Sequence, residues 1–229
     1  MIYLTGDTHR DFRLVGAFCD TVQSTPDDVL VILGDAGINY YGDDRDYKLK
    51  HLLTDLPITL FCVHGNHEQR PESLGYIETE WHGGMVYAEP EFPLLLFAKA
   101  GEIYDLVGDR CIAIGGAYSV DKPLRIAEGW GWWPDEQPSD EIKRRVGQQL
   151  TAEGNVIDIV LSHTCPFKYI PREVFLSGID QSTVDTSTEY WLDTIEDRLT
   201  YNRWYCGHYH TEKTVDKMRF MFHDFLELR

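Results

Sequence analysis

Apolar and β-branched residues along the chain gather into five short runs, Ile2 to Thr5, Val29 to Leu33, Ile58 to Val63, Val156 to Leu161 and Arg203 to Cys206, and each gives way to Gly, Asp, Ser or His. Runs of this length and make-up, closed by such residues, predict strands. Between the first three lie segments of helical period, with Phe12, Val15, Phe18, Cys19 and Val22 sharing one face and Leu49, Leu52, Leu53 and Leu56 sharing another. The resulting order β-α-β-α-β requires parallel pairing with right-handed crossovers. The middle of the chain changes character: Met85 to Ala88, Leu94 to Leu106 and Arg110 to Gly115 read as closely spaced strands. Little room is left there for helices, which predicts a second, mostly antiparallel sheet. Helical pattern returns over Ser139 to Ala152, where Ile142, Val146 and Leu150 share a face, and over Ser187 to Thr200, where Thr186 and Glu189 have capping-box spacing. Lys213 to Asp216 and Phe220 to Phe225 predict a closing hairpin. The expected class is α/β, a four-layer αββα sandwich with two mixed β-sheets face to face and helices outside.

Composition narrows the function classes. There are 21 Lys and Arg against 38 Asp and Glu, a formal charge of −17. Such a surface repels phosphate backbones and anionic lipid, so a nucleic-acid polymer or a membrane is not an expected partner, and an anionic substrate must meet a local positive centre. No repeat, linker or low-complexity block divides the chain, so one domain over residues 1–229 is expected. The 5 cysteines form no CxxC pair and are read as buried small hydrophobes. No apolar stretch approaches the ~20 residues of a bilayer span, and no basic leader opens the sequence, so a cytoplasmic location is expected.

The residues that follow the five runs carry the chemistry. They are Gly6-Asp7-Thr8-His9, Gly34-Asp35, His64-Gly65-Asn66-His67-Glu68, Ser162-His163 and Gly207-His208-Tyr209-His210. Taken singly, a histidine after a strand is a hydrogen-bonded structural residue, and Gly-Asp or Gly-Asn is ordinary turn chemistry. Together they are different, because ligands bind beyond the carboxyl ends of parallel strands and these ends would converge in one crevice. Leaving His64 aside as a structural residue, a pool of Asp7, Asp35, Asn66 and five His (His9, His67, His163, His208 and His210), with no thiolate, suits Mn, Fe or Zn and exceeds what one ion needs.

These five blocks, in this order, resemble those of the calcineurin-like metallophosphoesterases, over residues 6 to 210. The resemblance implies a helix-flanked β-sandwich holding two divalent ions, with Mn²⁺ expected first and Fe or Zn as alternatives. Carried over residue by residue, Asp7, His9 and His210 would hold one ion, Asn66, His163 and His208 the other, and Asp35 would bridge. His67 would be the acid or phosphate-contacting histidine, and Asn66 would also contact substrate. Two such ions lower the pKa of a shared water, so that a bridging hydroxide attacks phosphorus in line while the ions clamp the phosphoryl oxygens. Their four positive charges exceed the two negative charges of Asp7 and Asp35, which selects a phosphate ester as substrate.

The second block departs from the GDxVDRG pattern of the phosphoprotein phosphatase branch. Ile38 stands in place of a histidine-orienting carboxylate and Asn39 in place of a phosphate-binding arginine. The expectation is therefore a hydrolase of small-molecule or nucleotide phosphate mono- or diesters. A phosphoprotein phosphatase and a non-catalytic protein-binding scaffold are the alternatives. Arg10 is a candidate substrate contact or a helix-start residue. Trp130, Trp132 and Trp133 are a candidate aromatic lid or simple packing, and Tyr40, Tyr41 and Arg45 a candidate substrate loop or a solvated one.

Overall fold

The computed structural model describes residues 1–229. In chain order its elements are β1 (Ile2–Thr5), α1 (Arg13–Val22), β2 (Val29–Ile32), α2 (Asp44–Leu53), β3 (Thr59–Cys62), β4 (Ile77–Trp81), β5 (Gly84–Ala88), β6 (Leu95–Ala98), β7 (Ile103–Leu106) and β8 (Asp109–Ile114). There follow α3 (Lys122–Glu128), α4 (Asp140–Ala152), β9 (Ile159–Ser162), α5 (Ser187–Glu196), β10 (Arg203–Cys206), β11 (Lys213–Val215), β12 (Met218–Phe220) and β13 (Leu226–Glu227). One sheet has the strand order β13-β1-β2-β3-β6-β5-β4 and the other β11-β12-β10-β9-β8-β7.

Alternation along the central strands shows why their sequences are apolar throughout. In β2, Val29 and Val31 join the core between the sheets, with Leu4, Phe61 and Leu161, whereas Leu30 and Ile32 turn to Val15, Cys19 and Leu53 of the helical layer. The second sheet repeats this on its outer side, where Ile112, Val160 and Trp204 meet Val146, Leu150, Leu192 and Ile195 from α4 and α5. Strands covered on both faces carry no polar alternation. All five cysteines are free and buried, and no helix is long and apolar enough to cross a membrane.

Several expectations need correction. The second sheet is not mostly antiparallel: β8, β9, β10 and β12 pair in parallel, and only β7 with β8 and β11 with β12 run antiparallel. The middle strands are shared out, β5 and β6 extending the first sheet and β7 and β8 the second. Thr186 and Glu189 form no capping box. Asp185 receives the Ser187 N–H instead, at 2.9 Å, and Glu189 turns inward to accept from Thr164 Oγ1 at 2.8 Å. The α5 helix stops at Glu196, and the returning strand of the last hairpin is Met218–Phe220. From there the chain crosses back, so that β13 lies antiparallel beside β1.

Candidate metal centre

β1, β2 and β3 lie side by side and parallel in one sheet, and β9 and β10 do so in the other. The loops that leave their carboxyl ends bring Asp7, His9, Asp35, Asn66, His67, His163, His208 and His210 together. Three overlapping groups result, Asp7 with His9 and His210, His9 with Asp35 and His67, and Asp7 with Asp35 and His163, in each of which the potential ligand atoms lie within 4.8 Å of one another. The backbone is bent sharply to achieve this. His9, Asp35, His208 and His210 all adopt left-handed conformations, at φ of 46°, 50°, 67° and 46°. Non-glycine residues persist there only where the surroundings over-determine them, as at ligand clamps. The glycines beside them are required by contact: a Cβ on Gly34 would lie 2.0 Å from His163 Nδ1, and one on Gly65 2.0 Å from Asp35 Oδ1.

The polar atoms are oriented, and one of them, Asp7 Oδ2, lacks the partner its burial demands. His163 Nδ1 donates to the Leu33 carbonyl at 2.8 Å, which points Nε2 inward, 2.8 Å from Asn66 Oδ1 and 3.6 Å from Asp35 Oδ1. Asn66 donates its amide N–H to Ser119 Oγ at 2.9 Å and so presents its oxygen to the cluster. The second-layer contact that fixes an imidazole tautomer is a recurrent feature of metal-binding histidines. His9 Nε2 and His210 Nε2 face each other at 2.9 Å, with Asp7 Oδ2 at 3.7 and 3.3 Å from them. Asp7 Oδ2 is buried without a satisfactory hydrogen bond, while Asp7 Oδ1 and Asp35 Oδ1 accept the backbone N–H groups of His208 and His67 at 2.9 and 2.7 Å. Inward-facing imidazole nitrogens around orphaned carboxylate oxygen are a donor set that fits hard to borderline divalent cations.

The ionisation of the cluster reflects these contacts. Burial works to raise Asp7 and Asp35, yet the surrounding imidazoles, His210 and His163 for the first and His163, His67 and His9 for the second, hold both carboxyls below the ordinary range. Burial, reinforced by His163, pushes His208 down to about 3, so its lone pair is free at neutral pH, as ligation requires. The contact with Asp7 raises His210, and Asp35 and Asp7 raise His163 against the effect of its burial.

Two residues beside His67 are not legible as site residues in the sequence. Arg125, in α3 and buried, directs Nη2 onto the His67 ring, 3.0 Å from Nε2 and closer still to Nδ1, while its Nε pairs with Asp121 at 2.8 Å. Asp121 Oδ1 stands 3.9 Å from His67 Nε2. A carboxylate thus faces this histidine from the start of α3, while Ile38 is buried in the core and Asn39 Oδ1 accepts from Tyr76. Burial above all, with Arg125 in support and Asp35 opposing, lowers His67. A helix-start signal exists in Asp121-Lys122-Pro123, but nothing in that tripeptide points to His67.

A cavity of about 360 Å³ opens on the cluster. Asn66 and His67 line it; Arg10 does not. The Arg10 guanidinium is bound to Asp46 Oδ1 and the Gly37 carbonyl, both at 2.6 Å, and lies 4.7 Å from the Tyr41 ring. Trp130, Trp132 and Trp133 line a separate cleft with Tyr40, Tyr41 and Arg45, and none of the three lines the cavity over the cluster. Sequence patterning also gives no sign of the wall supplied by residues 170–184, whose apolar side chains are interspersed with polar ones at no regular period.

Residues 1–212, which contain the whole cluster, match the family model described as calcineurin-like phosphoesterase. The chain belongs to that family. No curated protein matches this calcineurin-like phosphoesterase in sequence. Among solved structures, TT1561 of Thermus thermophilus is similar at TM-score 0.51 and 13% identity, covering 96% of this chain and 87% of that one. Phosphopantetheinyl hydrolase of Mycobacterium tuberculosis gives TM-score 0.47 and 15% identity, with coverage of 96% and 87%. The first likeness is one of fold. Family membership makes metal-dependent phosphoester hydrolysis the general activity of this calcineurin-like phosphoesterase.

Proposed function

We propose that the chain is a two-metal hydrolase of small phosphate esters. The observation that carries this is the convergence of two buried carboxylates and four imidazoles in one cluster beside the cavity, with carboxylate and imidazole atoms facing one another and Asp7 Oδ2 left without a hydrogen-bond partner. Asp7, His9 and His210 would hold one ion, Asn66, His163 and His208 the other, and Asp35 would lie between them. Bound there, divalent ions supply Lewis acidity to the phosphoryl oxygens and lower the pKa of water; manganese suits the N/O donor set.

The protein's own groups do the rest. Leu33 fixes the tautomer of His163, and Ser119 fixes the amide of Asn66, whose oxygen therefore does not swing with substrate. His67 lies at the cavity edge, backed by Arg125 and facing Asp121. A phosphoryl group arriving at the cluster brings negative charge beside this ring, which raises its pKa and lets His67 carry the proton that the leaving alkoxide requires. The cavity is sized for a small molecule, and a net charge of −17 disfavours polymeric nucleic acid.

The deciding experiment is Mn²⁺-dependent hydrolysis of paired aryl phosphate mono- and diesters, with chelated protein as control. Metal-dependent turnover is expected, and the ratio of the two substrates assigns the subclass. His67→Ala is expected to keep its metal content and lose ~10² to 10⁴-fold in turnover, the loss growing as the leaving group becomes more basic. Equal rates for wild type and variant on a poor leaving group would remove the acid role.

A further inference from the structure

Beyond the cluster, the cavity is asymmetric. One side is the histidine and carboxylate floor. The other is an apolar lobe formed by Ile170, Val174, Phe175, Leu176, Ile179 and Val184, all from the segment between β9 and α5. Leu176 is two-thirds exposed, at 66%. A side chain of this kind beside a buried charged cluster has no structural need to be apolar, and gains from it only when something covers it.

The charges of the lobe are as informative as its apolarity. No Lys or Arg lines the cavity. Apart from the residues of the cluster, the ionisable side chains with carboxylates are Asp121, Asp185 and Glu189. Asp185 is engaged by Gln137 and by the Ser187 N–H, and Asp121 by Arg125. Glu189, only 3% exposed, keeps Oε2 without a hydrogen-bond partner. An additional anionic group in this lobe would meet the carboxylates of Asp121 and Asp185, and no Lys or Arg lines the lobe to pair with it. An apolar group would instead cover Leu176 and its neighbours.

We infer that the ester's organic group occupies this lobe and is uncharged and largely apolar, which makes the substrate a phosphate ester with no second phosphate or carboxylate. This rests on the phosphoesterase reading above and deepens it. Nucleoside di- and triphosphates, bisphosphates and phosphorylated carboxylic acids are disfavoured by the same argument, since a further negative charge in the lobe would stand against Asp121 and Asp185.

The test compares near-isosteric esters whose leaving groups have similar pKa: 4-propylphenyl phosphate, 4-(2-carboxyethyl)phenyl phosphate and phenyl phosphate, each with Mn²⁺-loaded protein. The propyl ester is expected to exceed phenyl phosphate in kcat/KM by about ten-fold or more, as burial of three methylene-sized groups allows. The carboxyethyl ester is expected to fall at least ten-fold below the propyl ester. Leu176→Lys, at an exposed position that does not threaten folding, is expected to narrow or invert that ratio. A carboxyethyl ester equal to or better than the propyl ester overturns the proposal, and so does a ratio that Leu176→Lys leaves unchanged. If none of these monoesters is turned over, and their bis(aryl) diesters are inert as well, the phosphoesterase reading fails, and the lobe is then judged by binding. Calorimetry with 4-propylphenylphosphonate and its carboxyethyl analogue reads the same preference without hydrolysis, and equal affinities refute it.

Discussion

Asp35 stands between the two halves of the cluster. Its Oδ1 accepts the His67 backbone N–H at 2.7 Å and faces His163 Nε2 at 3.6 Å, while Oδ2 faces His9 Nδ1 at 3.9 Å. Because an amide keeps the shape and the acceptor but removes the charge, Asp35→Asn is expected to fold and to retain fewer than two ions per chain, read by elemental analysis after dialysis. Full occupancy would refute a bridging role. Gly65 tests the same residue from the other side. A Cβ there would meet Asp35 Oδ1 at 2.0 Å and its backbone nitrogen at 2.1 Å, and backbone does not yield cheaply. Gly65→Ala is therefore expected to cost about 2–4 kcal/mol in denaturant unfolding and to lower metal occupancy with it. An unchanged unfolding midpoint would show that the loop relaxes freely.

At the scale of elements, α5 carries a buried carboxyl whose ionisation is set by its packing. Burial, against the hydrogen bond from Thr164, pushes Glu189 up to about 7 from an ordinary value of 4.5. A carboxyl raised in the folded state binds its proton more tightly there than in the unfolded chain. Its contribution is therefore present below the unfolded value and is lost as pH rises toward about 7. The loss is on the order of 3 kcal/mol at most. Glu189→Gln is expected to remove this term, so the fall in Tm between pH 5 and pH 8 becomes smaller than in wild type; an equal fall in both proteins would contradict it. The same helix shows where sequence reading reaches its limit. The five site-bearing strands were legible because apolarity on both faces and a polar break are local properties, as in β2 and Asp35. The partner of a strand is not local: Met85 to Ala88 and Arg110 to Gly115 read alike, yet the structure sends them to different sheets. Glu189 sat at capping-box spacing, and only tertiary contact with Thr164 decided that it turn inward. Arg125 and the lobe around Leu176 carry no motif at all, since their meaning comes from what they face.

Across the whole molecule, the cluster joins the two layers of the sandwich. Asp7, His9, Asp35 and Asn66 leave strands of the first sheet, and His163, His208 and His210 leave strands of the second. Ions held between them would tie the carboxyl ends of both sheets together above the shared core of Leu4, Val31, Phe61 and Leu161. The donors come from positions 7 to 210, so no short unfolded segment can present them, and binding favours the folded state almost alone. Each site filled at 100-fold over its dissociation constant then adds about 2.7 kcal/mol. For a chain of 229 residues, each kcal/mol raises Tm by roughly 2–4 °C. Protein reconstituted with Mn²⁺ is thus expected to melt about 5–20 °C above chelated protein in scanning calorimetry, and Asp35→Asn to close much of that gap. Salt separates this from general charge screening. The net charge of −17 repels itself less as ionic strength rises, so monovalent salt raises Tm in wild type and variant alike, whereas the Mn²⁺ increment requires the cluster. A Tm that responds to Mn²⁺ no more than to equal ionic strength of NaCl would place the ions on the acidic surface and not between the sheets.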